Sequence, residues 1–317
     1  MSDTTSRLAA SRRRSRARKT LLSVARCWQV YVMLLPALIY IILFAYKPMY
    51  GVLIAFKTYK MKLGIMKSPW CGLDNFYRLF NSYWFPITIR NTLTLSVLSL
   101  VLGFPLPIIL ALMLNELKSE GVRRTIQTVS YAPHFISTVV LCSMVTLFLS
   151  PSSGAINKFI ELFGGKPVSF MASAPMFKWI YVISGIWQGV GWSSIIFTAA
   201  LAGVDRSLLE AADIDGATRI QKIWYVNVPV LIPTIVIMLI LQCGSLLSVG
   251  YEKVYLLQND FNMTASEVIS TYTYKVGLEQ ADFAFSTAVG VLNSVVNSII
   301  LIVVNAISRR VSETALW

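Results

Sequence analysis

Charged residues are scarce in this sequence. Asp, Glu, Lys and Arg together make up 14% of its 317 residues, against about 25% in soluble domains. Hydrophobic residues make up 56%, which is more apolar surface than one soluble core of this length can bury. The composition therefore excludes a soluble globular domain and predicts a chain that is largely buried in lipid.

Cysteine and histidine are also scarce, with four residues and one residue respectively. The cysteines form no C-x-x-C pair, and Cys142 and Cys243 lie inside apolar runs, where a thiol behaves as a small apolar group. A single histidine gives little support to a His-based zinc site. We expect no metal site, no disulfide framework and no redox role.

The sequence also lacks the phosphate loop G-x-x-x-x-G-K-[ST], since Gly164-Gly165-Lys166 is followed by Pro167. We therefore predict no catalytic residues and no ATP hydrolysis by the chain itself. No Asp or Glu falls within the six long uncharged windows, whereas proton- and sodium-coupled carriers usually keep carboxylates in the bilayer. If the chain moves a solute, its energy must come from a separate subunit. A secondary transporter, which would also need internal pseudo-symmetry, is the weaker alternative.

Six apolar windows predict six transmembrane helices, because a helix needs about 20 apolar residues to cross the hydrocarbon. We expect an all-α polytopic membrane protein whose transmembrane domain covers residues 28–317. The first helix is expected to bend near Pro36 or Pro48. The third window exceeds one span and is expected to be irregular near Pro133 and His134. The predicted spans cover about residues 28–56, 87–115, 125–149, 176–204, 223–250 and 283–308.

Residues 1–27 carry eight Lys and Arg residues, a large part of the net charge of +13. We predict a disordered cytoplasmic tail that sets the topology and contacts anionic lipid. Nucleic-acid binding is the alternative, but no interleaved aromatic residues or folded module accompany the tail. An even number of spans then places both termini in the cytoplasm, together with the segment between the fourth and fifth spans.

That segment, residues 205–222, has the local pattern of a compact docking element. Ser207 with Glu210 fits an S-x-x-E capping box, so a short helix is expected to begin near Ser207 or Asp205. Gly216 suits the left-handed conformation that ends a helix, and a further helical turn can follow it. The pattern predicts a helix–bend–helix unit, which we call the coupling knuckle (residues 205–222). An ordinary, well-capped cytoplasmic loop is the alternative.

The knuckle and the residues after it resemble the EAA loop of permease subunits in ATP-binding-cassette importers. That loop reads Glu-Ala-Ala, three residues, Gly, nine residues, then two aliphatic residues one apart and Pro; here two valines stand where Ile and Leu are usual. The matching positions are Glu210, Ala211, Ala212, Gly216, Val226, Val228 and Pro229, and Asp205, Asp215, Ala217 and Gln221 resemble the sugar-importer version. From about Trp28 to Trp317 the chain resembles the LplB-like group, which includes permeases of alginate and aldouronate importers. This wider resemblance is carried by Gly72–Phe76, Trp187–Trp192 and Arg309–Trp317.

The resemblance implies a type I importer fold in the bacterial cytoplasmic membrane. The implied partners are a second permease subunit (usually a different chain), two ATPase subunits that hold ATP and Mg²⁺, and an extracytoplasmic solute-binding protein. No cofactor is expected in this chain. The implied substrate is an oligosaccharide, with acidic alginate or uronate fragments among the candidates; a permease for another solute class is the alternative. The residues implied in coupling to the ATPases are Asp205, Glu210, Ala211, Ala212, Asp215, Gly216 and Ala217.

Polar and aromatic side chains within the spans are candidates for a sugar path, because sugars need amide partners for their hydroxyls and flat rings for their apolar faces. Such amides also hold membrane helices together, and that alternative stays open. Lys47, a rare charge within the first helix, either snorkels to the membrane surface or attracts a carboxylate. The acidic external loop 252–282 is either a contact for the binding protein or a solvated surface. The path candidates are Trp187, Gln188, Gln242, Asn293 and Asn297.

Overall fold

The computed structural model describes residues 27–312 of the chain. The predictions for the basic tail before residue 27 and for residues 313–317 lie outside the described residues. Regular structure within residues 27–312 is helical, apart from one isolated antiparallel bridge between Lys57 and Trp70. The predicted all-α class is confirmed.

Five of the described helices are long and apolar enough to cross a membrane, and a bent pair brings the total to six if it counts as one span. In chain order the helices are α1 (Trp28–Phe56), α2 (Gly64–Lys67), α3 (Asp74–Phe80), α4 (Trp84–Asn115), α5 (Glu120–Phe135), α6 (Thr138–Phe148), α7 (Ala155–Leu162), α8 (Ala174–Leu201), α9 (Arg206–Ile214), α10 (Arg219–Cys243), α11 (Tyr251–Leu257), α12 (Met263–Ser266), α13 (Ile269–Tyr274) and α14 (Phe283–Ser312). The five long helices are α1, α4, α8, α10 and α14, and the bent pair is α5 with α6.

The first helix changes its helical type between its second proline and its end. A π turn covers Ile42–Tyr46, and a 3₁₀ stretch covers Tyr50–Phe56. Pro48 has no N–H to donate to the carbonyl four residues earlier, which favours a wider turn just ahead of it. Pro36 lies inside a regular α-helical stretch. The irregularity therefore belongs to the Pro48 end of the helix.

The predicted third span consists of two helices, α5 and α6, that meet at an angle of 99°. Pro133 lies in a 3₁₀ turn at the end of α5, and the side chain of Ser137 caps the start of α6 by accepting from the N–H of Val140. The break frees the carbonyl of Ile136, which accepts a hydrogen bond of 2.9 Å from the side-chain amide of Gln188 on α8. A freed carbonyl at membrane depth needs such a partner, because lipid supplies none.

Helix α8 packs against α4, α5 and α10, and so it lies at the centre of the described helices. A Cβ atom on Gly191 would lie 2.0 Å from the carbonyl oxygen of Ser130, so only glycine permits this approach of α5 to α8. Farther along α8, Phe197 and Leu201 are buried with Ala111 of α4 and Leu231 of α10. These contacts pack the long helices α4, α8 and α10 against one another.

The segment after α10 folds back into the protein. Helix α10 ends at Cys243, short of the predicted end of the fifth span at residue 250, and Val254 and Val268 are buried against α4 and α8. The side chain of Glu267 is 3% exposed, and its Oε2 lies 2.5 Å from Nζ of Lys275. Neither alternative for the acidic loop, a contact for the binding protein or a solvated surface, therefore applies to Glu267, because its carboxylate is buried and paired with Lys275.

Candidate coupling knuckle and transmembrane cavity

The first helix of the coupling knuckle begins at Arg206. The carboxylate of Asp205 accepts a hydrogen bond of 2.9 Å from the backbone N–H of Ser207, which makes Asp205 the N-cap and lowers the pKa of its carboxyl group. The predicted capping box between Ser207 and Glu210 is wrong, because Ser207 already lies inside the helix. The expected start near Asp205 is confirmed.

The helix ends at Ile214, and Gly216 makes the left-handed turn just after it, as the sequence predicts. Gly216 has a φ of 72°, and its N–H donates to the carbonyl of Asp213 at 3.1 Å. The N–H of Ala217 donates to the carbonyl of Ala212 at 2.9 Å. These two bonds form a Schellman motif, which satisfies the last carbonyls of the helix and turns the chain.

The second helix of the knuckle starts with its own capping box. The backbone N–H of Thr218 donates to Oε1 of Gln221 at 2.7 Å, and the backbone N–H of Gln221 donates to Oγ1 of Thr218 at 3.4 Å. Lys222 then reaches back to Asp213 of the first helix, with Nζ and Oδ1 separated by 2.6 Å. The two helices are thus joined both by the turn and by an ion pair.

The outer surface of the knuckle combines apolar side chains with a carboxylate. Ile214 is 86% exposed and Ile220 is 68% exposed. Glu210 is exposed, and none of the residues 27–312 forms an ion pair or a side-chain hydrogen bond with it. Exposed apolar residues beside an unpaired charge are typical of a surface that another protein covers. The seven residues implied in coupling all lie on this unit.

A polar cavity of about 300 Å³ lies among α4, α8, α10 and α11. Two of the predicted path residues, Gln188 and Gln242, line it together. Lys253 also lines the cavity and was missed by the sequence analysis, because it lies on the short helix α11, which was assigned to an external loop. The remaining lining residues include small and polar side chains, among them Ser99, Gly185, Gly189 and Ser193.

The ammonium group of Lys253 is held against α8. Its Nζ donates to the carbonyl of Tyr181 at 2.9 Å and lies 4.7 Å from the centroid of the Tyr181 ring. A Cβ atom on Gly185 would be 3.1 Å from this Nζ, so the ammonium lies close to the backbone of α8. Within the described part of the chain, no Asp or Glu comes within 4.0 Å of it.

The other predicted path residues lie elsewhere. Trp187 lines a separate apolar cavity of about 460 Å³. Asn293 lines a third cavity of about 160 Å³. Asn297 accepts from the N–H of Leu247 at 3.0 Å and donates to Oγ of Ser248 at 3.0 Å, which ties α14 to the segment that follows α10. The structure therefore brings together only two of the five candidates, and Lys47, on an exposed turn of α1, does not line the polar cavity.

Comparison with known proteins gives consistent matches over nearly the whole chain. The family model described as "binding-protein-dependent transport system inner membrane component" matches residues 103–313. The chain is 39% identical over 305 residues to the polygalacturonan/rhamnogalacturonan transport system permease protein YteP of Bacillus subtilis (strain 168), covering 96% of this chain and 95% of that protein. It is 41% identical over 288 residues to protein LplB of the same organism, covering 91% of each.

Solved structures show the same relationship. The chain is 42% identical to a chain in the crystal structure of a bacterial ABC transporter involved in the import of the acidic polysaccharide alginate, with a TM-score of 0.86 over 93% of this chain and 99% of that one. It matches equally well, at 42% identity and a TM-score of 0.86, a chain in the complex of a bacterial alginate ABC transporter with an alginate pentasaccharide-bound periplasmic protein.

Proposed function

The chain belongs to the family of binding-protein-dependent transport system inner membrane components, and on that premise we propose that it is the permease subunit of an ATP-driven oligosaccharide importer. As a member of this family it is a multi-pass membrane protein that moves a solute and is not itself an enzyme. Its substrates are oligosaccharides, including acidic ones such as alginate or uronate fragments. A polar cavity among long apolar helices supports this assignment, because a sugar needs amide and hydroxyl partners on its way through the membrane.

The observation that carries the substrate class is the 42% identity, over 93% of this chain, to a chain of a transporter for an acidic polysaccharide. The similarity to YteP, at 39% identity over 96% of the chain, points to the same class. A permease for another solute class is the remaining alternative, since the coupling arrangement would be the same for it.

The coupling knuckle is the part of the permease through which ATP hydrolysis in the ATPase subunits changes the conformation of the helices around the cavity. In this proposal both termini and the knuckle face the cytoplasm, where two ATPase subunits bind ATP and Mg²⁺. A second permease subunit, a different chain, completes the pathway, and an extracytoplasmic binding protein delivers the sugar. The exposed Ile214 and the unpaired Glu210 support a docking role for the knuckle.

Reconstitution of the complete transporter tests this function. The complex would be purified with its partner permease, ATPases and binding protein, and placed in liposomes loaded with ATP. We expect ATP-dependent accumulation of labelled uronate or neutral oligosaccharides. Accumulation of an amino acid or phosphate, with no uptake of any oligosaccharide, would overturn the proposal.

A further inference from the structure

We propose that Lys253 is the subsite of the polar cavity that receives a carboxylate group of an acidic oligosaccharide during its passage. This inference rests on the proposed function and names a residue that decides between acidic and neutral substrates. It follows from the depth of Lys253, from its partners and from the composition of the cavity around it.

Lys253 lies well inside the membrane-spanning part of the protein. Helix α8 has 28 residues, which corresponds to about 42 Å at 1.5 Å per residue. Tyr181 and Gly185, which flank the ammonium, lie seven and eleven residues after the start of α8, or about 10 and 16 Å along its axis. The hydrocarbon core is only about 30 Å thick, so the charge is placed below the surface of the bilayer.

A cation at this depth is costly and persists where it serves a function. The usual solution is a carboxylate partner, and within residues 27–312 none is in reach of Lys253. An ammonium group has three donors, and the carbonyl of Tyr181 takes one of them. The face of the Tyr181 ring supplies a weaker contact. Lys253 therefore retains the capacity to bind an anion that enters the cavity.

The rest of the cavity suits a sugar that carries such an anion. Gln242 offers an amide, and Ser99 and Ser193 offer hydroxyls that can bond to sugar hydroxyls. A Cβ atom on Gly189 would meet nothing within 4 Å, so this side of α8 leaves open space beside the ammonium. The arrangement thus combines one charge with several neutral polar groups, which is what a uronate residue requires.

The test compares matched substrates in the complete transporter. A uronate tetrasaccharide and the same tetrasaccharide with its carboxyl groups reduced to alcohols differ in charge and hardly in length or shape. Initial uptake rates and KM would be measured for the wild type, Lys253→Gln and Lys253→Arg. Lys158→Gln is the matched control, because it also removes one lysine charge from a helix but lies on the exposed surface of α7, outside the cavity.

We expect Lys253→Gln to reduce uptake of the uronate tetrasaccharide by about ten-fold or more, since a hydrogen bond to a charged group is worth that much in affinity. Uptake of the reduced tetrasaccharide should change by less than about two-fold, because its hydroxyls can bond to a neutral amide. Lys253→Arg should keep the preference for the acidic sugar, and Lys158→Gln should leave it unchanged.

Three results would overturn the inference. An equal loss for both tetrasaccharides in Lys253→Gln would mean that the lysine pairs with a carboxylate of a partner subunit and serves assembly. No change for either sugar would mean that the cation has no part in passage. A lost preference in Lys253→Arg, in a variant that still assembles, would mean that charge is not what is recognised.

If the wild type imports neither sugar, the proposed function fails. If the wild type imports both sugars and only the selectivity results disagree, this inference alone fails.

Discussion

Lys222 and Asp213 join the two helices of the coupling knuckle, with 2.6 Å between the ammonium nitrogen and the carboxylate oxygen. They are nine positions apart in the chain, and the left-handed turn at Gly216 brings them together. The pair therefore spans the turn and connects the two helices through their side chains.

Removal of the Glu210 carboxylate tests whether the knuckle docks on a partner. Glu210→Ala should reduce ATP-dependent uptake by about ten-fold or more, because loss of one member of an interfacial charge pair has a large effect. The amount of permease in the membrane should not change, since no described residue pairs with Glu210. The measurements are uptake in liposomes and co-purification of the ATPase. The control is Glu161→Ala, an exposed carboxylate on α7; equal uptake in both variants would contradict a docking role.

Replacement of Gly216 tests the turn itself. Gly216→Ala places a side chain at a φ of 72°, which costs about 1–2 kcal/mol for an L-residue. We expect several-fold weaker uptake and weaker retention of the ATPase, with a smaller effect for Gly216→Asn, because Asn tolerates this conformation. Gly121→Ala on α5 is the control, since its Cβ would have its nearest contact at 4.0 Å. Full activity of Gly216→Ala would show that the shape of the turn does not matter.

The close contact at Gly191 predicts that alanine substitutions at two nearby glycines of α8 differ in their effect on the stability of the protein. Gly191→Ala would press a methyl group against the Ser130 carbonyl, at 2.0 Å without relaxation, and overpacking of this kind costs about 1–3 kcal/mol or more. Gly189→Ala meets nothing within 4 Å and should be neutral or slightly stabilising, because Ala favours a helix. Thermal unfolding of the purified transporter measures both. Equal unfolding temperatures for the two variants would mean that α5 does not pack here.

The ion pair between Glu267 and Lys275 predicts that removing only one of the two charges strongly lowers the stability of the protein. Glu267→Ala leaves the half-buried ammonium of Lys275, whose side chain is 21% exposed, without its carboxylate partner, which costs at most about 3–5 kcal/mol. The double variant Glu267→Met with Lys275→Met should recover much of that loss, because it buries no charge. The stabilities of the single and double variants would be compared by unfolding the transporter in detergent. Glu120→Gln, at an exposed ion pair, serves as the control and should change stability little. A double variant as unstable as the single one would contradict this account.

The knuckle was largely predictable because its structure depends on short-range patterns. Gly216 ends the helix, and a further turn follows it, since caps and left-handed turns act within a few residues. The sequence left the start of the helix open between Asp205 and Ser207, and the predicted capping box at Ser207 is wrong because Asp205 is the cap. The difference depends on which side chain reaches a free N–H, and Asp205 reaches that of Ser207.

The cavity was only partly predictable. The sequence placed Trp187 and Gln188 together as path residues, yet consecutive residues of a helix point about 100° apart, and the two line different cavities. Lys253 was overlooked because it lies outside the apolar windows; its position beside Tyr181 results from a contact between residues 72 positions apart.

The sequence by itself determined that the chain crosses a membrane, that its regular structure is helical and that a glycine turn interrupts the segment between two spans. Composition and local pattern suffice for these features, because each depends on the cost of exposing or turning a short piece of chain. Only the tertiary structure decided which polar groups share a cavity, where α5 meets α6 and that Glu267 is buried. Those outcomes depend on which helices pack together, and local residue patterns do not encode the distances between them.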